Sequence, residues 1–153
     1  MFVVQCLLAL NPADAPDASV FNGTWRQQMA AKLASSSKPK ELLIKGDAST
    51  LTVRMTGPGK VATVDIVFYV GGPEVTYKGL DGDEFKLRAS MEGANLVLKG
   101  TELEEGRVLT IDEVWTRRTE GNIQLLVDSR TTKNDHARAT KITVYEQIRP
   151  TAP

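Results

Sequence analysis

Side chains able to do acid–base, nucleophilic or metal chemistry are few in this sequence, and they are poorly spaced for it. The 153 residues include one histidine and one cysteine. A single thiol rules out an internal disulfide and a cysteine-cluster metal site; a single imidazole rules out sites built on two or three. His136 stands in Lys133-Asn134-Asp135-His136, a turn pattern, and no nucleophile is placed for it to activate. Asp112 and Glu113 are adjacent on an extended segment, so their side chains point to opposite faces and cannot pair. Glu102 and Glu104 share a face but run into Glu105-Gly106, which reads as a solvated strand end. Asp81-Gly82-Asp83-Glu84 lacks the spaced ligand positions of an EF-hand loop. Gly57-Pro58-Gly59-Lys60 lacks the first glycine of a phosphate loop, because Arg54 stands there. The sequence therefore nominates no catalytic residue, no metal site and no cofactor.

The elements that would position any site are strands. Turn signals recur at Gly46-Asp47, Gly57-Pro58-Gly59, Gly71-Gly72-Pro73, Asp81-Gly82, Glu92-Gly93, Glu105-Gly106, Gly121-Asn122 and Lys133-Asn134-Asp135. Between them the chain alternates. Leu51, Val53 and Met55 lie opposite Thr52, Arg54 and Thr56; Phe85, Leu87 and Ala89 lie opposite Lys86, Arg88 and Ser90. Period-2 patterning of this kind marks half-buried antiparallel strands. Val61–Val70 is apolar on both faces and should be covered on both sides or project past a rim. Short consecutive turns make each strand pair with its sequence neighbour. With no long amphipathic helix to cover such a sheet, it should close on itself. The expected fold is all-β, an antiparallel up-and-down meander closed into a barrel of about 8–10 strands. At most one short helix is expected, Gln27–Ala34, capping one end.

Nineteen basic residues balance nineteen acidic ones. That excludes the phosphate-driven binding of nucleic acids and attraction to an anionic membrane surface. The apolar run Phe2–Leu10 is too short to span a bilayer, so no stable membrane insertion is expected. It is followed by the small-x-small triplet Ala13-Asp14-Ala15, and residues 1–18 read as a signal-peptide-like segment or N-terminal extension. The chain is then expected outside the cytoplasm, periplasmic or secreted, or in the cytoplasm if the run is structural. Residues 19–150 form the single barrel domain and 151–153 a tail. Oligomeric state is not readable.

The segment Phe21-Asn22-Gly23-Thr24-Trp25 carries a family resemblance. A Gly-x-Trp that opens the first strand of an antiparallel meander resembles the lipocalin signature of the calycin superfamily. The wider pattern, with Trp115 about two-thirds along, is similar to small bacterial lipocalin-like proteins. The resemblance covers most of the chain after residue 20. It implies structural roles for Gly23, Trp25 and Arg149, the last ending the final strand and covering the Trp25 ring by a cation–π contact. The avidin family also opens with Gly-Thr-Trp, but its biotin pocket needs more than the two tryptophans present. The fatty-acid-binding family has about ten strands, but a two-helix lid follows its first strand, and residues 27–39 are too few for it.

What remains is a cavity. Strand parity places Leu51, Val53, Met55, Val64, Ile66, Phe68, Phe85, Leu87, Leu109, Ile111, Glu113, Trp115, Ile123, Leu125, Val127, Ile142 and Val144 inward, and Arg54, Arg88 and Arg130 outward. The candidate ligand contacts are Met55, Phe68, Phe85, Leu87, Ile111, Glu113, Trp115 and Leu125. Glu113 is the anomaly, a carboxylate between Ile111 and Trp115 that must be wet, paired or protonated. Three readings stay open. The chain is a non-enzymatic binding or carrier module for a small apolar ligand, a barrel enzyme of isomerase, cyclase or hydratase type using the inward carboxylate, or a filled barrel with no ligand.

Overall fold

The computed structural model describes residues 16–29, 39–60 and 62–149. Ten strands follow one another: β1 Gly23–Gln27, β2 Glu41–Gly46, β3 Thr50–Thr56, β4 Thr63–Tyr69, β5 Val75–Lys78, β6 Glu84–Glu92, β7 Asn95–Glu104, β8 Arg107–Glu120, β9 Ile123–Lys133 and β10 Arg138–Ile148. They form one antiparallel sheet in the order β4-β3-β2-β1-β10-β9-β8-β7-β6-β5. The first strand pairs with the last, Thr24 opposite Ile148, and this closes the meander into a barrel. The seam lies between β4 and β5, the two ends of the order. It is narrowed by the edge-on contact of Phe68 and Tyr77, ring centroids 5.8 Å apart, and by a bridge from Val70 to Ala89 on β6.

The alternation read from β3 and β6 sets the inner face. Leu51, Val53, Phe85, Leu87 and Ala89 are buried in one core with Leu42, Ile44, Ile66 and Leu98. Val61–Val70 is less covered than expected. Ile66 and Phe68 face inward, but Val67 and Tyr69 on the outer face are 42% and 47% exposed. Among the described residues there is no α-helix. Gln27, expected to open one, instead ends β1, and the Gln28 amide donates to the Val144 carbonyl as the strand pairing continues. The rest of that expected helix, from residue 30, lies outside the described residues, as do residues 1–15 and 150–153.

Residues just before Ser19, the expected start of the domain, also pack against the barrel. A 3-10 turn spans Ala18–Phe21, with the Asp17 carboxylate accepting from the Ser19 amide. Ala18 and Phe21 are fully buried. A side chain at Gly46 would come within 2.7 Å of the Ala18 carbonyl, so Gly46 is the space into which this turn docks. A chain started at Pro16 should therefore melt a few degrees above one started at Ser19. Equal melting temperatures by circular dichroism would show that Asp17 and Ala18 contribute nothing.

The Gly-x-Trp segment has a clear local logic. Trp25 is fully buried, and its indole N–H donates to the Phe21 carbonyl at 2.8 Å. Gly23 has φ of 137°, and an added Cβ would meet the Gln147 amide at 2.5 Å. That amide donates to the Asn22 carbonyl. The expected cover of Trp25 by Arg149 is corrected here. Arg149 is exposed and its guanidinium donates to the Asn122 carbonyl. In the β1–β10 register Gln147, not Arg149, stands opposite Trp25, and Arg149 lies past the end of β10 on the outside.

Candidate ligand cavity

The inner wall over β7 to β10 is built in cross-strand rungs, because directly opposed residues of an antiparallel pair share a face. One rung runs Leu98, Glu113, Arg130, Lys141. The next runs Leu96, Trp115, Asp128, Thr143. Glu113 and Trp115 face inward as β8 alternation requires, and the register carries Arg130 and Asp128 in with them.

Glu113 is 1% exposed, and both of its oxygens are used. One accepts from the Trp115 indole N–H at 2.9 Å, the other from Arg130 Nε at 2.8 Å. The Arg130 guanidinium lies over the Phe85 ring, 5.2 Å from its centroid. Phe85 stacks on Tyr77, which meets Phe68 edge-on, while Trp115 meets Phe21 edge-on at the other side. An ion pair, with Glu113 buried and the Arg130 side chain 32% exposed, is thus held inside a belt of rings that crosses the barrel from the seam to the 3-10 turn.

Asp128 adds a second carboxyl beside the first. Its Oδ1 is buried with no hydrogen-bond partner among the described residues. Burial, and then the adjacent Glu113, push the Asp128 acid up to about 9, so it keeps its proton at neutral pH. Burial works against the Arg130 charge, but Glu113 outweighs it and the guanidinium is raised above its ordinary value. Burial and then the nearby carboxyls raise Tyr77 and Tyr145 too, so both phenols stay neutral donors.

These groups line a cavity of about 340 Å³. Its apolar wall includes Leu42, Val53, Met55, Ile66, Phe68 and Leu98. The wall also carries the exposed Asp81 and Lys141, the half-buried Lys40 and the buried Glu102. The interior is not packed solid. A larger depression of about 590 Å³ lies where β1, β9 and β10 meet, around Arg26, Asn122 and Glu146, but most of its lining is exposed or half-exposed and polar.

Neither a protein-family model nor a curated protein sequence matches the chain. Solved structures do. One is a secretory abundant heat soluble protein from Ramazzottius varieornatus, 17% identical, TM-score 0.62, over 87% of this chain and 98% of that one. Another is a fatty acid transporter, REP1-NXSQ, 14% identical, TM-score 0.61, over 87% and 99%. A fatty-acid-binding protein from Drosophila melanogaster brain is 17% identical, TM-score 0.54, over 80% and 95%. At these identities the likeness is one of fold. The fatty-acid-binding family, set aside on the length of residues 27–39, is among these likenesses of fold, and residues 30–38 lie outside the described residues.

Of the residues nominated from sequence, Met55, Phe68, Phe85, Glu113 and Trp115 line the cavity together. Leu87 and Ile111 are fully buried in the packed core and do not line it. Leu125 is buried but is neither on the cavity wall nor in the core cluster. The parity expected for the last two strands is inverted. Ile123 and Ile142 are 44% and 64% exposed, whereas Asp128, Arg130, Lys141, Thr143 and Tyr145 line the cavity. Arg130, expected outward, is the partner that Glu113 required. Glu102, expected in solvent, is 9% exposed at the cavity wall.

Proposed function

We propose that this protein is a non-enzymatic binding or carrier module that holds a small hydrophobic molecule inside the barrel. The observation that carries this reading is the cavity itself. Its volume is at the low end of the roughly 300–1,000 Å³ of small-molecule sites, and it combines apolar walls with a cluster of convergent polar side chains. The neighbouring structures described as fatty acid transporter and fatty-acid-binding protein support it, since the same barrel serves that purpose in them.

A titration with a neutral apolar fluorophore such as Nile red tests the reading. The probe should saturate with a dissociation constant near or below about 10 μM, roughly 7 kcal/mol of binding free energy, and quench Trp115, which forms part of the wall. Met55→Trp, which places an indole in the cavity from a half-buried wall position, should weaken probe binding at least about tenfold with the barrel still folded. No saturation by any apolar probe up to millimolar concentration would leave the filled-barrel reading in its place.

The enzyme reading rests on one feature, a protonated Asp128 beside an ion-paired Glu113 on the cavity wall, the arrangement a proton-transferring isomerase needs. Catalysis would also require a substrate atom between them. The binding reading needs only the cavity and is preferred.

A further inference from the structure

We propose that the cavity selects amphiphiles with a cationic head, an alkyl ammonium seated against Asp128 and Glu113, over those with a carboxylate head. This rests on the binding reading above and adds the chemistry of the head group. The charge inventory of the wall carries it. Among the described residues the wall carries four carboxyls, Asp81, Glu102, Glu113 and Asp128, against Lys40, Lys141 and Arg130. It is therefore short of one positive charge.

Geometry says where that charge belongs. Glu113 already takes its two donors from Trp115 and Arg130. Asp128, which as the acid shares its proton with Glu113, has a buried oxygen that accepts from no donor among the described residues. An ammonium has three N–H donors and a full positive charge, so it satisfies that oxygen and offsets the second carboxylate. A carboxylate head would instead bring a third acid to one arginine whose Nε is already used. Lys40, the further cation nearest to it among the described residues, already faces Asp128 and Asp81.

With no ligand bound, the missing charge is supplied by a proton. The groups around Asp128 are Glu113 from β8, Arg130 on its own strand, Lys141 and Tyr145 from β10, Tyr77 from β5 and Lys40 before β2. Burial and Glu113 keep its acid protonated at neutral pH. The binding step is then an exchange. The ligand ammonium enters, the Asp128 O–H bond breaks, the proton leaves to solvent, and the carboxylate so formed pairs with the ammonium. Nothing is oxidised or reduced.

The experiment compares decylamine, decanol and decanoate as competitors of Nile red on the wild-type chain, with calorimetry in buffers of different ionisation enthalpy. The amine should bind at least about tenfold tighter than the acid or the alcohol. About one proton should be released per amine bound, and amine affinity should rise with pH below the Asp128 value, by up to about tenfold per unit. In Asp128→Asn, shown to be folded by circular dichroism, the amine preference and the proton release should both vanish. Decanoate or decanol binding as tightly as the amine, or amine binding with no proton released, overturns the head-group assignment while the cavity reading stands. Failure of Nile red itself to bind overturns the cavity reading instead.

Discussion

Trp25→Ala should lower the free energy of unfolding by about 3–5 kcal/mol, the range for deleting a large buried aromatic. For a chain of this size that is on the order of 10 °C in melting temperature. The indole is fully buried among β-strand side chains, and its N–H holds the Phe21 carbonyl of the 3-10 turn. Phe21 in turn packs edge-on against Trp115 at 6.3 Å. Removing the indole therefore opens a cavity and releases the turn that closes that end of the barrel. Trp25→Phe separates the two effects: it keeps most of the ring and orphans the Phe21 carbonyl, for about 1–3 kcal/mol. Arg149→Ala is the control. The residue is exposed and, among the described residues, donates only to the Asn122 carbonyl, so its loss should stay within about 0.5 kcal/mol. If Arg149→Ala were to cost as much as Trp25→Ala, the guanidinium rather than the turn would be what secures the tryptophan.

The barrel was legible because its signals are local. Turn residues every few positions and alternation in Leu51–Met55 and Phe85–Ala89 require only that each strand be half-buried, and β3 and β6 bear that out. The site was legible on the same strands, and on β8, where Glu113 breaks an otherwise apolar face. It was lost on β9 and β10. Leu125, Leu126 and Val127 are consecutive apolar residues, so alternation alone does not say which of them points inward. Ile142 and Val144 look like an inward pair, yet Tyr145 fills the core and Ile142 is out in solvent.

A stronger signal was available in the turn. Gly121-Asn122 is a two-residue hairpin connection, and counting outward from it pairs Glu120 with Ile123. The same count puts Arg130 opposite Glu113 and Asp128 opposite Trp115. Cross-strand partners share a face, so the inward carboxylate identifies its own counter-ion. Local hydrophobicity misled because the residues that complete this site are polar, and burial follows register rather than side-chain type. The Arg149–Trp25 contact failed for a related reason: the family pattern supplies a residue type near a strand end, whereas the register decides which residue arrives, here Gln147.

Arg130→Met should destabilise the fold by about 3–5 kcal/mol near neutral pH, because it leaves a buried carboxylate without its partner. Glu113 is 1% exposed and would keep only the Trp115 N–H, with Asp128 still beside it. The methionine stem can retain much of the packing over Phe85, so charge and not volume should dominate the loss. The sign of the pH dependence follows from Asp128. Its acid is raised in the folded state, from an ordinary 3.8 to about 9, by burial first and Glu113 second. Such a group takes up a proton on folding, so its contribution is fully favourable below the unfolded value and declines as pH rises toward the folded one. Stability of the wild type should thus fall between about pH 4 and pH 9 from this source. Asp128→Asn carries no proton to lose, so it should match the wild type near pH 5 and exceed it near pH 8. In Arg130→Met the decline should be steeper, since the charge that opposed the two carboxyls is gone. Urea unfolding of the three proteins at several pH values measures all of this. A wild-type stability that rises across the window, or an Asp128→Asn variant that is weaker at pH 8 than at pH 5 relative to wild type, would mean that Asp128 is ionised in the folded barrel and that the deep site carries two negative charges.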